Sequence, residues 1–281
     1  MTRPRQAFFD AHLRTESLGP RDVADLIFFG VVGALCPLAG TGSPATARQL
    51  RRDCQELTGR SVKWLRRAGM AAFAALAVPP ARIPARGLEA WLADLPEFLS
   101  QRGVAAIGPV GTGCGTPREE EVFSRQLEMA RELRRPVLVS TPPGEAIRLT
   151  RRALAILRES GVEPGSVLVD GVDVPTLRIV RAVGYGAVLS LSAGPGGLEA
   201  AVQAVRELGP EGIALASHAG DGLGDLLAIP RAADRMSRLG LSGAVIRRVC
   251  GGNALAALGL DPAALRSAAA PIARSGRRPS R

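Results

Sequence analysis

Two patterns of apolar and polar residues alternate along this chain. Short unbroken apolar runs such as Val104–Gly108 are too short for a helix and end at glycine or proline, so they predict buried strands. In Glu119–Leu133, apolar residues recur at helical spacing and acids fill the first turn, where the helix dipole favours them. A second apolar run, Pro136–Ser140, follows. Together the three segments predict one βαβ unit with parallel strands.

The same alternation extends over most of the chain. Eight βα units in about 250 residues favour a (β/α)8 TIM barrel, and a doubly wound open sheet is the alternative. Residues 1–265 contain no internal repeat or linker and predict one barrel domain. Residues 266–281, rich in Arg, Ser and Pro, lack apolar periodicity and predict a disordered basic tail. The predicted strands are Phe8–Ala11, Val31–Cys36, Ala71–Val78, Val104–Gly108, Pro136–Ser140, Val167–Asp170, Ala187–Leu191 and Ile213–Ser217.

The net charge of +10 is concentrated in part at the end of the chain. Residues 266–281 contain five arginines and no acid, so they contribute +5 and the rest of the chain the other +5. Lys63 is the only lysine, and arginine-rich composition is typical of GC-rich codon usage. A nucleic-acid surface is the alternative interpretation, but 4% aromatic residues leave few side chains on which bases could stack.

Targeting and redox signals are sparse. No apolar run reaches the ~18 residues that a membrane span needs, and the first residues lack the apolar segment of a signal peptide. The four cysteines, Cys36, Cys54, Cys114 and Cys250, have no CxxC spacing. We therefore expect a cytoplasmic protein with reduced thiols and no membrane partner.

Candidate chemistry should lie at the C-terminal strand ends, where TIM barrels carry their active sites. The chain has two histidines, His12 after the first strand and His218 after the last, and these strands are neighbours in a closed barrel. A divalent ion needs about three or four N, O or S ligands, and Asp170 or Asp221 could add a carboxylate. These four are the candidate catalytic residues, with His12 and His218 as candidate metal ligands. The alternative is that both histidines are strand-end residues without a ligand role.

Other strand-end residues indicate anion binding. Arg14 lies two residues after His12, just beyond the first strand, so on an extended backbone the two side chains face the same way. A guanidinium does not ligate a metal, but beside glycine-rich loops it could hold a phosphate or carboxylate. Ser140 and Ser217 are further candidate ligand-binding residues. The glycines equally fit turns alone.

A set of scaffold residues carries a family resemblance. Ala106-Ile107-Gly108 ends a predicted strand, and Phe123, Gln126-Leu127, Ala130, Leu133 and Pro136-Val137 follow at fixed spacing. This arrangement resembles the TatD-like family of metal-dependent hydrolases in the amidohydrolase superfamily, which shows A-I-G-E-x-G, E-x-x-x-F-x-x-Q-L-x-x-A-x-x-L and P-V-x-x-H in this order. The resemblance extends from about Phe9 to Leu258 and implies a (β/α)8 barrel.

The resemblance also implies six metal-ligand positions, of which only His12 keeps the family residue. Five of the six are substituted in this chain. The residues at the substituted positions are Arg14, Pro109, Ser140, Gly171 and His218.

These substitutions lead to two main hypotheses and a third. In the first, the chain is a pseudoenzyme with a degenerate metal site and no cofactor, and it binds a small anionic molecule or a protein partner. In the second, it is a metal-dependent hydrolase, phosphodiesterase-like or nuclease-like, with Zn, Mg or Mn in a site rebuilt around His12 and His218. The third is nucleic-acid binding through the arginines.

Overall fold

Eight parallel strands form the centre of the molecule. The computed structural model of this chain describes residues 6–40, 45–141, 146–192, 196–220, 224–263 and 265. Within these residues the strands pair in the order of the chain, each in parallel with the next. They are β1 (Phe8–Asp10), β2 (Val31–Pro37), β3 (Ala71–Leu76), β4 (Val104–Val110), β5 (Val137–Ser140), β6 (Val167–Val172), β7 (Gly186–Ser190) and β8 (Ile213–Ala216).

Helices follow the strands and surround them. In the described ranges they are α1 (Pro20–Phe28), α2 (Ala47–Glu56), α3 (Val62–Arg67), α4 (Leu88–Leu99), α5 (Pro117–Glu132), α6 (Ala146–Ser160), α7 (Val174–Ala182), α8 (Gly197–Leu208), α9 (Ala228–Arg238), α10 (Gly243–Arg247) and α11 (Asn253–Ala257). A π-helical turn, Leu57–Ser61, joins α2 to α3. A kinked turn, Arg248–Gly252, joins α10 to α11, and the backbone leaves helical geometry at Cys250 and Gly251. None of these helices is long and apolar enough to cross a lipid bilayer.

The first and last strands meet at a junction that we call the β1–β8 seam. Among the described residues, β1 and β8 do not pair through a regular series of backbone hydrogen bonds, so they are the two edges of the sheet. Isolated backbone bonds close it instead: the Ala11 amide donates to the Leu215 carbonyl at 3.2 Å, and the His218 amide donates to the His12 carbonyl at 3.1 Å. The predicted (β/α)8 barrel is therefore confirmed, with a closure that differs from its other strand pairs.

Apolar side chains fill the barrel interior and its N-terminal end. Phe9, Leu138 and Leu168 are buried inside the barrel with small residues around them. The turn Arg248–Gly252 lies beneath them, and a Cβ atom at Gly251 would approach the Phe9 backbone nitrogen to 3.1 Å. The N-terminal end is thus closed by packing, which leaves the C-terminal end for polar groups.

Gly59 predicts an interruption of a long helix that starts near Ala45. The α-helix is interrupted at this point, between the end of α2 and the start of α3. The interruption is the π-turn Leu57–Ser61 rather than a break in the helix, and within it the Thr58 hydroxyl donates to the Cys54 carbonyl at 2.9 Å. The predicted tail, residues 266–281, lies outside the described residues.

Candidate metal centre

Three side chains at the C-terminal end of the barrel converge on one point. The Nδ1 atom of His12 lies 2.6 Å from Oδ2 of Asp170, and Nε2 of His218 lies 3.1 Å from Oδ1 of the same carboxylate. The two imidazole rings are 4.2 Å apart between centroids and inclined by 35°. One ligand atom from each residue lies within 4.8 Å of the others. We call these residues the His–Asp–His group.

The barrel topology brings these residues together. His12 lies two positions beyond β1 and His218 two positions beyond β8, so the β1–β8 seam makes them neighbours. Asp170 comes from β6, where Ser140 of β5 and Val188 of β7 are its register partners. The side chain of Asp170 is 3% exposed, whereas those of His12 and His218 are 16% and 23% exposed. The carboxylate therefore lies at the bottom of the group and the imidazoles at its rim.

Two buried atoms in this group lack a hydrogen-bond partner among the described residues. They are Oδ1 of Asp170 and Nε2 of His218, which lie 3.1 Å from each other. The two atoms form an ion pair when His218 is protonated, but no well-aligned hydrogen bond. A buried acceptor without a partner is unfavourable, and a cation between a carboxylate oxygen and two imidazole nitrogens would satisfy both atoms. The residues present therefore fit a divalent metal ion.

The charges in the group stabilise one another. Burial raises the pKa of Asp170, but the neighbouring His218 and His12 outweigh it and hold the pKa of this carboxyl below its usual range. Burial lowers the pKa of His218, but the negative charge of Asp170 outweighs that effect and raises it above its ordinary value of 6.5. Asp170 is therefore ionised and available as a ligand or as an ion-pair partner.

A second carboxylate, Asp10, lies beneath His12 and is 1% exposed. Its Oδ1 accepts hydrogen bonds from the amides of His12 and Ser217 at 3.0 and 3.1 Å, and its Oδ2 accepts from the Ser217 hydroxyl at 2.5 Å. Burial raises the pKa of Asp10, and these hydrogen bonds oppose that rise. Sequence reasoning did not select Asp10 as a site residue. Its position two residues before His12, on the same face of the strand, was the available signal.

Three other sequence candidates are placed around the group. Arg14 is close enough for its charge to act on His218, and its guanidinium donates to Glu16 at 3.3 Å. Ser140 is half-buried at the end of β5 beside Asp170. Ser217 is fully buried, and its hydroxyl also accepts from the Ala219 amide at 3.0 Å. Ligand binding by these residues stays a prediction.

Among the described residues, the other substituted ligand positions add no metal donor. Asp221 lies outside the described residues. Pro109 in β4 follows a cis peptide bond, and Gly171 in β6 has no side chain. Thr141, which sequence reasoning did not select, supports Asp170 from the next strand, because its hydroxyl donates to the Asp170 carbonyl at 2.7 Å.

A cavity of about 1170 Å³ lies next to the site rather than over it. It is lined by Thr15 and Glu16, which follow His12 in the chain, and by residues of the α2–α3 segment such as Gln49 and Trp64. The His–Asp–His group does not line it. We therefore locate the candidate chemistry at the group, whose buried polar atoms require a partner, and regard the cavity as a neighbouring groove.

The chain is similar to known proteins in sequence and in fold. No protein-family model matches it. An uncharacterized metal-dependent hydrolase of Methanocaldococcus jannaschii is 25% identical over 171 residues, which cover 61% of this chain and 68% of that protein.

Solved structures share the fold over nearly the whole chain. A TatD-like protein of Archaeoglobus fulgidus superposes with a TM-score of 0.75 and 22% identity, covering 90% of this chain and 100% of that one. The phosphotriesterase homology protein of Escherichia coli, with phosphate in its active site, gives 0.67 and 16%, covering 89% and 98%. The structural neighbours of this chain are thus TatD-like proteins and other amidohydrolase-superfamily barrels, whose fold it shares, as the sequence resemblance predicted.

Proposed function

We propose that this protein is a TatD-like metal-dependent hydrolase whose divalent ion is held by His12, Asp170 and His218. The observation that carries the proposal is the convergence of three potential ligand atoms in the His–Asp–His group, where the buried Oδ1 of Asp170 and Nε2 of His218 face each other without a hydrogen bond. Three protein ligands leave further coordination positions for water and substrate, which is the pattern of catalytic rather than structural metal sites.

The donor set indicates which ions the group would bind. Two imidazole nitrogens and one carboxylate oxygen suit Zn²⁺ or Mn²⁺ better than Mg²⁺, which prefers oxygen ligands and retained water. When bound, such an ion supplies Lewis-acid chemistry and acidifies a coordinated water. Asp170 contributes the negative charge, and its low pKa keeps it ionised. His12 and His218 contribute nitrogen lone pairs. The raised pKa of His218 favours the protonated imidazole, so ion binding should release this proton.

We further propose that the substrate is an anionic ester such as a phosphoester. Arg14 supports this, because its charge acts on His218 at the rim of the group and would attract an anion. Ser140, half-buried beside Asp170, offers a hydroxyl on the neighbouring strand β5. The phosphate in the active site of the Escherichia coli neighbour is consistent with the same substrate class. Arg14 and Ser140 would bind and orient the substrate.

Metal content tests this proposal. The protein, purified without chelators and reconstituted with Zn²⁺ or Mn²⁺, should hold near-stoichiometric metal and hydrolyse bis(4-nitrophenyl) phosphate. His12→Ala, Asp170→Asn and His218→Ala should each lose both properties. Glu120→Gln, which alters an exposed ion pair with Arg152 on the outer helices, should keep both. A wild-type protein that holds no metal after reconstitution would contradict the proposal.

A second candidate function is non-catalytic binding of a small anion. It is favoured by one observation, the 2.6 Å hydrogen bond between His12 and Asp170, which satisfies both atoms without a metal. In that case Arg14 would attract the anion, and the same metal analysis would find no ion. Binding of inorganic phosphate measured by calorimetry, lost in Arg14→Gln, would then support it. Binding of a protein partner or of nucleic acid stays a prediction, and calorimetric titration can test it in the same way.

A further inference from the structure

We propose that Asp10 and Ser217 are positioning residues that set the orientation of His218, and that they do so across the β1–β8 seam. This inference rests on the proposed function, because the orientation matters only if His218 is a metal ligand. It concerns two residues that do not belong to the His–Asp–His group. Neither side chain is exposed to solvent, so neither would contact substrate.

The hydrogen bonds of Asp10 join the two sides of the β1–β8 seam. Its carboxylate accepts from the His12 amide on one strand and from both the amide and the hydroxyl of Ser217 on the other. The carboxylate therefore connects the residues adjacent to two of the proposed ligands. These three donors hold the buried carboxylate in one orientation, because no other hydrogen-bond partner is available to it among the described residues.

The backbone of His218 needs support from neighbouring contacts, because it is in an unfavourable conformation. Its φ angle is 51°, in the left-handed region that residues other than glycine rarely occupy. Strain of this kind persists only where surrounding contacts hold it, and it occurs most often at functional sites. At this position the backbone conformation decides whether the imidazole points at Asp170 or away from it.

Contacts on both sides of His218 hold this conformation. The Ser217 hydroxyl, which donates to Asp10, also accepts from the Ala219 amide at 3.0 Å and so spans the strained residue. The Ala219 carbonyl accepts from the Arg14 amide at 2.8 Å, and a Cβ atom at Gly220 would lie 1.9 Å from the Arg14 carbonyl oxygen. The Ser217 hydroxyl is thus the link between Asp10 and the backbone that carries His218.

The competing explanation is that Asp10 and Ser217 only hold the barrel closed. A purely structural pair would affect folding stability without affecting metal affinity in the folded protein. The two explanations therefore differ in a property that stability measurements do not report. A suitable probe is Co²⁺, whose visible absorption depends on the number and arrangement of its ligands.

The experiment compares Co²⁺ titrations of four variants of the full chain at a temperature where all are folded. Ser217→Ala should weaken Co²⁺ binding about 10- to 100-fold, the usual effect of losing a residue that orients a metal ligand, and should change the absorption spectrum. Ser217→Thr retains the hydroxyl and should bind within a few-fold of wild type. Asp10→Asn keeps the shape of the side chain and loses its charge, so it should weaken binding in the same direction.

Asn253→Ala is the matched control. Its side chain donates to the carbonyls of Pro210 and Ile213 at 2.6 Å, so it anchors β8 at the opposite end from Ser217. This variant should lose stability while its Co²⁺ affinity and spectrum stay unchanged.

The outcomes separate this inference from the proposed function. If the wild type binds no Co²⁺, the proposed function fails and the inference fails with it. If the wild type binds Co²⁺ and Ser217→Ala and Asp10→Asn bind it equally well, the metal site stands but the positioning role is wrong. If Ser217→Ala does not fold, Asp10→Asn gives the same decision, because it keeps the size of the side chain but replaces one of the two acceptor oxygens with a donor NH2 group and so removes part of the link to Ser217 and His12.

Discussion

Asp170 is the residue on which the chemistry of the site depends. Its two carboxylate oxygens face two different imidazoles, one at 2.6 Å and the other at 3.1 Å. Desolvation of a carboxylate is unfavourable, and the two histidines compensate for it only when they carry positive charge or share a cation with it. The pKa of His218 therefore depends directly on the charge of Asp170.

Because the chain has only two histidines, their titration can be followed individually by NMR. In metal-free protein, we expect the pKa of His218 to lie above its ordinary value of 6.5, since Asp170 favours the imidazolium. In Asp170→Asn the charge is gone and burial remains, so the pKa of His218 should fall below that of the wild type. Glu121→Gln, on an exposed part of α5, should leave the titration unchanged. Identical titrations in wild type and Asp170→Asn would contradict the assigned ion pair.

The same shift predicts how stability depends on pH. A histidine with a raised folded-state pKa contributes stability that is fully present below its unfolded pKa and is lost as the pH rises through the folded pKa. In chelator-treated samples, the difference in free energy of unfolding between wild type and His218→Asn should therefore be largest below pH 6.5, the ordinary pKa of histidine, and shrink as the pH rises above it. Asparagine tolerates the positive φ angle at this position, so backbone strain is matched. Urea unfolding measures the difference, and a gap that widens with pH would refute the sign.

At the scale of elements, capping interactions fix the loops around the barrel mouth. The clearest case is the start of α5, where the Thr116 hydroxyl accepts from the Glu119 amide at 3.2 Å. The Glu119 carboxylate in turn accepts from the amides of Thr116 and Cys114 at 2.9 and 3.0 Å. Glu119 is 8% exposed, whereas Thr116 and Cys114 lie on the exposed loop, so a buried carboxylate orders an exposed turn. The loop that follows β4 is thus held by one side chain of the helix behind it.

Glu119→Ala should therefore destabilise the protein by about 0.5–2 kcal/mol, because it removes the capping box at the start of α5. Glu121→Gln, two residues along the same helix and exposed, should change stability by less than about 0.5 kcal/mol. Chemical denaturation of both variants provides the comparison. Equal effects would show that the Glu119 hydrogen bonds contribute nothing beyond helix propensity.

Element positions could be predicted well from the sequence, and the reason is physical. A strand buried on both faces, such as β3, must be apolar along its whole length, so its run stands out between polar helices. The π-turn at Leu57–Ser61 could not be predicted in the same way. Gly59 disfavours a helix locally, but packing of α2 and α3 against the barrel keeps the chain helical.

The site could be predicted only in part. The neighbouring positions of His12 and His218 followed from barrel closure alone. The role of Asp10 did not, because a buried carboxylate is recognised by its partner, and that partner lies 207 residues away in the sequence. The sequence also offered both Asp170 and Asp221, since the direction of an acidic side chain depends on strand register, which the β5–β6 pairing fixes for Asp170.

At the scale of the whole molecule, two apolar layers stabilise the barrel. One lies between the strands and the surrounding helices, and the other lies inside the strands with Phe9 at its centre. Arginine–carboxylate pairs such as Arg125–Glu89 join neighbouring helices on the outside, but water and salt screen exposed pairs of this kind, so they contribute little to stability. Stability should therefore depend mainly on the interior.

Phe9→Ala should lower the free energy of unfolding by about 3–5 kcal/mol, because the side chain is completely buried and a cavity would remain. Phe28→Ala removes the same side chain from a site that is 60% exposed and should cost less than about 1 kcal/mol. Thermal or urea unfolding of the two variants gives the ratio. Similar losses in both would mean that Phe9 does not pack as described.

The β1–β8 seam also bears on the order in which the protein is made. During synthesis β1 leaves the ribosome first and β8 last, and His12 is separated from Asp170 by 158 residues. Seven strands can therefore associate while His12 still lacks one of its two neighbours, His218. A nascent chain that ends before residue 213 would contain nearly all of the barrel and an incomplete His–Asp–His group. The activity proposed for this protein would begin only when its final strand is in place.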